Sequence, residues 1–382
     1  MTSKKLTDYG YSMRVVVPTE TRVGEKRVAL VPDIINKLVR LGLDVTIESG
    51  AGLHAQASDA EYTTAGATVS SGNVLKDADV VLSVQPLTPE QMSSLKKGAI
   101  TISFLPITTA QDSIDAALKA GVTAFSLELV PRISRAQSMD ALSSQALCAG
   151  YRAALVGAEL SPRFFPLLMT AAGTVTPAQV LVLGAGVAGL QAIATARRLG
   201  AVVSAYDVRP ASADEVRSMG ATFVQLELES LEGTGGYARE MTEDRAAKQR
   251  ELLTPYIAKS HVLITTAAVP GRAAPRLVTK EMVDSMSPGT VIIDLAAETG
   301  GNVEGSKPGE IVTTANGVRI WGGKDVPSQL PFHASMLYSR NVVNILTLMT
   351  KDGVIAPDFE DEIIAGSVVV HNGELKKEVV KK

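Results

Sequence analysis

At 382 residues the chain exceeds the roughly 250–300 at which a single core stops growing, so two domains are expected. Apolar residues make up 46% and aromatic ones only 4%, a balance that suits buried parallel strands covered by helices. The net charge is −3 with Lys and Arg dispersed, which excludes a nucleic-acid surface. Cys148 is the single cysteine, so an internal disulfide is excluded and a reducing compartment fits. His54, His261, His333 and His371 lack metal-ligand spacing, and no metal is expected.

The opening "MTSKKLTDYGYSM" is charged and lacks an apolar core of signal-peptide length, so it reads as a polar extension. "RVVVPTE" then predicts a strand, "DIINKLVRLG" a helix stopped at Gly42, and "DVTIESG" a second strand. The rhythm continues through "ADVVLSV", "GAITISFL" and "GVTAFSLELV", which predicts a parallel sheet. "RISRAQSMDALSSQ", Arg132 to Gln145, interrupts it with two arginines, two glutamines, an aspartate and several serines. No nucleophile sits beside a base there and no carboxylates are paired, so the segment suits holding a polar ligand rather than hydrolysis. The plainer alternative is a polar crossover in which Asp140 and Ser143 cap the following helix.

From Phe164 to Ala196 no residue is charged, but Pro166, Pro177 and a glycine-rich turn break the run into helix end, loop, strand and helix, so no membrane span is expected. "VLVLGAGVAGLQAIATARRLGAVVSAYDVR" supplies the strongest motif: a strand, Gly184, Gly186 and Gly189 in the pattern G-x-G-x-x-G, a helix, a second strand and Asp207. Gly184 permits the turn, Gly186 lets backbone approach a pyrophosphate, and Gly189 lets the helix pack closely. Asp207 would accept from ribose hydroxyls and repel a 2′-phosphate, favouring NAD over NADP, although the nearby Arg209 weakens that preference. A glycine-rich turn of purely structural use is the lesser alternative. "ESLEGTGGYAREMTEDRAAKQREL" is either a mobile lid, hinged at Gly235 and Gly236 with Tyr237 over the ligand, or a solvated loop before an amphipathic helix. "ITTAAVPG" and "IDLAAETGG" resemble strand ends on the ligand side of a doubly wound sheet. They would place Ala268 and Glu298 near a dinucleotide, with buried packing an equal alternative for Ala268. "SQLPFHASMLYSRNVVNILTLMT" reads as a helix, and "ELKKEVVKK" as a solvated tail.

The fold class is therefore α/β: two doubly wound Rossmann-like domains separated by a cleft, with the C-terminal helix returning to the first. The first domain comprises residues 1–138 plus 326–382 and the nucleotide-binding domain residues 139–325. "ADVVLSVQPLTPEQMSSLKKGAITISFL" and "SHVLITTAAVPGRAAPRLVTKEMVDSMSPGTVIIDL" share a pattern of strand, proline-containing loop, helix, small-residue turn and strand, an internal echo that two related domains would produce.

"PTETRVGEKRVALVPD", "PRISRAQSMDALSSQ", "MTAAGTVTPAQVLVLGAGVAGLQAIATARRLGA" and "GGYAREM" together resemble the NAD(H)-binding domain of the proton-translocating NAD(P) transhydrogenase family, the first portion of its α subunit. The resemblance spans nearly the whole chain from Met13. Alanine dehydrogenase is a related family with the same two-domain plan, the "GEKRVALVP" opening containing Arg27, and the same fingerprint. Its substrate-binding lysine and its histidine are replaced here by Gln85 and Pro106.

The transhydrogenase resemblance implies that Arg132, Gln137, Asp140 and Ser143 surround the nicotinamide and its ribose as the catalytic set. Gln137 faces the partner nucleotide, and Ile133, Ser134 and Arg135 belong to the same clamp. It further implies that Gly184, Gly186, Val187 and Gly189 hold the pyrophosphate turn, that Asp207, Val208, Arg209, Gly236, Tyr237 and Gln249 serve the adenosine half and lid, and that Ala268 lies beside the dinucleotide. NAD(H) would bind here and NADP(H) on a partner domain. The partners implied are a homodimer mate, that NADP(H)-binding domain and transmembrane proton-channel subunits. Lacking membrane helices, the chain would be cytoplasmic and peripheral on the inner face of the cytoplasmic membrane. Hydride transfer between two nicotinamides needs no acid or base at the reacting carbons, which explains their absence from Arg132–Gln145. Two other readings stay in view: an amino-acid dehydrogenase of the alanine dehydrogenase type, and a non-enzymatic NAD(H)-binding regulator.

Overall fold

The structure is a computed structural model and describes residues 12–228, 242–269 and 271–377. It divides into two compact units, one formed by the chain up to Gln145 and from Ser328 onward, the other by Ala146–Pro327.

In the first unit strands and helices alternate: β1 (Arg14–Val17), α1 (Pro32–Arg40), β2 (Asp44–Glu48), α2 (Asp59–Thr64), β3 (Thr68–Ser70), β4 (Val80–Leu82), α3 (Pro89–Ser93), β5 (Ile100–Ser103), α4 (Gln111–Ala120) and β6 (Thr123–Ser126). These six strands are parallel in the order β3-β2-β1-β4-β5-β6. This is the doubly wound order, whose switch point falls between β1 and β4. Successive residues feed opposite faces, Val15 and Val17 into one core cluster and Val16 into another. Both faces are covered, which is why these strands read as apolar runs.

After the short helical turn Ser134–Met139, helix α5 (Ala141–Leu160) contains the division between the units. The uncharged run expected to be loop before its strand is an antiparallel hairpin, β7 (Leu168–Thr170) with β8 (Gly173–Val175). The second unit continues through β9 (Gln179–Leu183), α6 (Val187–Arg198), β10 (Val202–Tyr206), α7 (Ser212–Ser218), β11 (Thr222–Phe223), α8 (Glu243–Lys259), β12 (Val262–Thr265), α9 (Lys280–Asp284), β13 (Val291–Asp294), β14 (Ile311–Thr313) and β15 (Arg319–Gly322). Its sheet order is β11-β10-β9-β12-β13-β15-β14, parallel except for β14. The switch point falls between β9 and β12.

The internal echo occupies matching places in the two sheets. β4 and β5, like β12 and β13, are the first parallel pair beyond the switch point. In each the connecting helix is capped by a threonine, Thr88 or Thr279, and closed by a left-handed glycine at the same spacing, Gly98 (φ 82°) or Gly289 (φ 81°).

The chain then returns to the first unit as α10 (Pro331–Leu348), β16 (Thr350–Lys351), β17 (Val354–Ile355), α11 (Glu362–Ser367), β18 (Val368–His371) and β19 (Glu374–Leu375). Helix α10 lays Tyr338, Val342, Val343, Ile345 and Leu346 on the first sheet's core, as its apolar spacing predicted. The tail expected to be solvated instead begins with β19, paired to β18 across an Asn372–Gly373 turn whose two residues both have positive φ. Among the described residues no helix is long and apolar enough to cross a membrane.

Polar side chains fill the carboxyl ends of β1 and β4. Glu25 and Arg27 form a buried pair, Nη2 to Oε2 at 2.6 Å, with Nε donating to Oε1 at 2.8 Å. Gln85 Nε2 donates to Glu25 at 2.7 Å, Arg27 Nη1 donates to Gln145 Oε1 at 2.8 Å, and Ser328 Oγ donates to Glu25. Burial pushes the Glu25 carboxyl up, but the bonds and charge of Arg27, with Ser328 and Gln85, outweigh it and hold the group at about 2. Glu20, which accepts from the amides of Val84 and Gln85, is pushed up to about 7, chiefly by burial, against the Val84 bond and with the help of the nearby Glu25.

The folded chain thus keeps a proton on Glu20 that the unfolded chain has released above about pH 4.5, so this group's contribution to stability falls as pH rises from about 4.5 to 7. Urea unfolding at pH 5 and pH 8 is expected to show the wild type losing more stability than Glu20→Gln across that interval, by at most about 3 kcal/mol. Parallel pH dependences would contradict the burial of this carboxyl.

Candidate functional site

Two constellations correspond to the residues singled out by sequence. In the second unit the glycine turn follows β9 at the switch point. Gly184 has φ 100°, which only glycine adopts comfortably, and a Cβ there would meet Thr266 Oγ1 at 2.6 Å. A Cβ on Gly189 would lie 1.9 Å from the Gly184 carbonyl oxygen, so the first turn of α6 packs directly on the strand end. Gly150 on α5 serves the same helix, where an added Cβ would lie 2.0 Å from the Ala188 oxygen. Gly186 differs. Its φ is −77°, which any residue adopts, and a Cβ would meet nothing within 4 Å. The protein's own packing therefore does not require glycine there, whereas a ligand lying against the backbone would. Helix α6 begins at Val187, itself 41% exposed, and carries no side-chain cap. Its first-turn amides lack intrahelical partners and its dipole favours an anion, so this end suits a pyrophosphate.

Asp207 follows β10 and flanks the turn from one side, accepting from the Ala185 amide at 2.7 Å. Its oxygens also take Arg209 Nε at 2.9 Å, Nη2 at 3.0 Å and the Arg209 amide. The side-chain bond to Asp207 raises the Arg209 pKa and turns that guanidinium toward the carboxylate. A carboxylate has about four acceptor sites, so Asp207 can still receive ribose hydroxyls. Thr266 flanks the turn from the other side, donating to the Gly184 oxygen at 3.1 Å. Ala268, two residues on, is exposed, which removes the buried-packing alternative for it. Val208 packs partly buried on the core beside Asp207.

Gln249 on α8 is 2% exposed and its amide oxygen accepts from Tyr206 Oη at 3.1 Å, while burial pushes the Tyr206 hydroxyl up to about 12. Gly235, Gly236 and Tyr237 of the expected lid lie outside the described residues. Glu298 is exposed and accepts from the Asp325 amide at 3.0 Å.

Sequence reasoning missed the pair that builds this floor. Asn302, fully buried, binds both backbone groups of Ala267, accepting from its N–H at 3.0 Å and donating to its C=O at 2.8 Å. Asp294, also fully buried, accepts from Thr265 Oγ1 and from the amides of Ala296, Asn302 and Val303. The readable signal was a carboxylate ending the apolar strand "VIID".

In the first unit, the turn Ser134–Met139 buries Ala136 and Met139 and leaves Arg132, Ser134, Arg135 and Gln137 exposed, with Ile133 packed against the core. Arg135 forms a two-pronged ion pair with Asp361, at 2.6 and 3.1 Å, and its bonds hold the Asp361 carboxyl below the usual range. Asp140 accepts from the Ser143 amide at 2.9 Å and from Ser143 Oγ at 2.6 Å, so these two cap α5 as the plainer alternative anticipated. Gln85 bridges Glu25 and Arg22, the latter donating to Gln85 Oε1 at 2.9 Å, and Pro106 opens the turn whose amides Thr109 and Ala110 bond its oxygen.

The fold and the glycine turn define a doubly wound dinucleotide-binding protein. Two family descriptions match it, Alanine dehydrogenase/PNT, N-terminal domain over residues 16–149 and Alanine dehydrogenase/PNT, C-terminal domain over residues 153–378; the chain belongs to that family. Within it the transhydrogenases match at higher identity than the alanine dehydrogenases. The first portion of the NAD(P) transhydrogenase alpha subunit of Rhodospirillum rubrum, a separate chain there, is 48% identical over 375 residues, covering 95% of this chain and 97% of its own. The crystal structure of transhydrogenase from Sinorhizobium meliloti is 43% identical with a TM-score of 0.84, over 95% of this chain and 98% of that one. An L-alanine dehydrogenase structure shares the fold at TM-score 0.80 and 25% identity, over 95% and 96% of the two chains.

Because Gly186 alone of the three has open space around it, Gly186→Ala is expected to leave the thermal midpoint within about 2 °C of wild type while weakening NADH binding roughly tenfold or more. Gly189→Ala, which meets backbone, is expected to cost about 2 kcal/mol or more of stability. Equal stability losses in both, read by thermal melting beside NADH fluorescence titration, would contradict this division.

Proposed function

We propose that this chain is the NAD(H)-binding component of a proton-translocating NAD(P) transhydrogenase and passes hydride from NADH directly to NADP+ held by a partner domain. NADH supplies the hydride from C4 of its dihydronicotinamide; that C–H bond breaks as one forms at C4 of the acceptor, so NADH is oxidised, NADP+ is reduced, and no side chain gains or loses a proton. The observation that carries the reading is the Ser134–Met139 turn: it exposes Gln137 beside Arg132 and offers no acid, base or nucleophile.

The protein's work is then to bind, orient and exclude water. The turn of Gly184, Gly186, Val187 and Gly189 holds the pyrophosphate, and Asp207, with Val208 and Arg209, holds the adenosine ribose. Arg132, Gln137, Asp140 and Ser143 orient the nicotinamide and its ribose, Gln137 on the side of the partner nucleotide, and Ile133, Ser134 and Arg135 shape the same turn. Gln249 supports the adenosine side from beneath through Tyr206. Holding two rings in attack geometry replaces about 7–11 kcal/mol of entropy otherwise lost at the barrier, so geometry suffices. A homodimer, an NADP(H)-binding domain and transmembrane proton-channel subunits complete the enzyme, with this chain peripheral on the cytoplasmic face of the membrane. An amino-acid dehydrogenase role is disfavoured because Gln85 is engaged by Glu25 and Arg22, leaving a substrate carboxylate without the lysine used in that branch.

Transfer from NADH to an NADP analogue of distinct absorbance is expected only when both this protein and an NADP-binding partner domain are present, and Gln137→Asn is expected to lower it by roughly a hundredfold. Reduction of NAD by an amino acid, without transfer to the analogue, would replace this reading with the dehydrogenase one.

A further inference from the structure

Asn341 lies midway along α10 among fully buried apolar neighbours, and is itself only 6% exposed. Asparagine is a poor helix former, and an amide withdrawn from water costs free energy unless bonded. Both ends of this one are bonded, and to the same stretch of chain. Nδ2 donates to the Ser138 carbonyl at 2.9 Å, and Oδ1 accepts from Ser144 Oγ at 2.7 Å. Asn344, one turn on, donates to the same Ser138 carbonyl at 3.1 Å and is itself held by Lys37 Nζ at 2.9 Å. Ser138 directly follows Gln137, and Ser144 lies just beyond the Asp140–Ser143 cap. One buried amide therefore clips both ends of the segment that begins where Gln137 ends. From the opposite flank Arg135 is tied to Asp361.

We propose that Asn341 is a positioning residue for hydride transfer, fixing the backbone that carries Gln137; this rests on the transhydrogenase reading above. Gln137 is exposed, so its aim is inherited from the backbone under it, and the Ser138 carbonyl is the nearest anchored atom. The deeper network leads to the same place. The Glu25–Arg27 pair holds Gln145, whose Nε2 donates to the Ala334 carbonyl of α10 at 3.1 Å and to Ser144 Oγ at 3.1 Å. The polar cluster at the first unit's switch point thus braces the start of α5 and the helix that bears Asn341. A purely structural amide would matter to folding alone, whereas a positioning one matters to the transfer step at full nucleotide occupancy.

The test uses the full chain with an NADP-binding partner domain and compares Asn341→Ala, Asn341→Asp, Asn344→Ala and Gln137→Asn. Asn341→Asp keeps the shape and the acceptor for Ser144 but loses the donor to Ser138. Both Asn341 variants are expected to lower kcat at saturating nucleotide roughly tenfold to a hundredfold, while the Kd for NADH, read from its own fluorescence, moves less than about threefold. Asn344→Ala, which keeps the test open should the Asn341 variants not fold, is expected to lower kcat about threefold with the same unchanged Kd. If Gln137→Asn abolishes transfer while the asparagine variants keep wild-type kcat, or lose kcat, Kd and thermal midpoint together, the positioning role is overturned and the functional reading stands. If Gln137→Asn itself leaves transfer intact, the functional reading falls, and this inference with it.

Discussion

The constraint on which the first unit depends is the Glu25–Arg27 pair at the carboxyl ends of β1 and β4. Two opposite charges taken out of water are tolerated only if their remaining lone pairs and protons are met, and removing one partner from such a pair typically costs about 3–5 kcal/mol. The surrounding sequence meets that demand from four places: Gln85 after β4, Gln145 on α5, Ser328 ahead of α10, and the ring of Phe104, with Arg27 5.9 Å from its centroid. In a doubly wound sheet this switch point is where a ligand would be expected. Here the crevice is filled by the protein's own groups, and its rigidity is passed to the Ser134–Met139 turn through α5 and α10.

The second unit meets the opposite demand. Its switch point stays open at Gly186 and is organised from below and from both sides, by Asp294 and Asn302 under Ala267, by Thr266 on Gly184, and by Asp207 on Ala185. One topology is therefore used twice, with the ligand position filled in one sheet and kept clear in the other. The paired βαβ segments, each with a threonine cap and a left-handed glycine, show how alike the two frameworks are.

Much of this was legible in the sequence because it is periodic or steric. Apolar runs gave the parallel strands, the spacing of "PFHASMLYSRNVVNIL" gave the returning helix, and the three glycines with Asp207 gave the dinucleotide turn. What stayed hidden depends on contacts far apart in the chain. Asn341 and Ser138 are separated by about two hundred residues, and nothing local marks either as a partner of the other. Asn302 looked like loop, and Ser335 and Ser339 like solvent-facing positions of a helix, although both serines are fully buried and hold the amides of Val28 and Val31. Two hairpins were readable and overlooked: "KDGV" and "HNGE" each place positive-φ residues at a two-residue turn. Asp140 and Ser143 illustrate a limit of another kind, since a helix cap and a ligand clamp draw on the same residue types.

A site with exposed Gln137 and Arg132 but no acid or base suits a reaction in which only hydride moves. The most direct measurement follows the hydrogen itself: NADH carrying deuterium at both C4 positions is mixed with this chain, the NADP-binding partner domain and NADP+ in ordinary water, and the product is examined by mass spectrometry. The account predicts one deuterium in every NADPH formed, with none lost to solvent. NADPH formed without deuterium would mean that the hydrogen had passed through an exchangeable group, and would contradict direct transfer between the two rings.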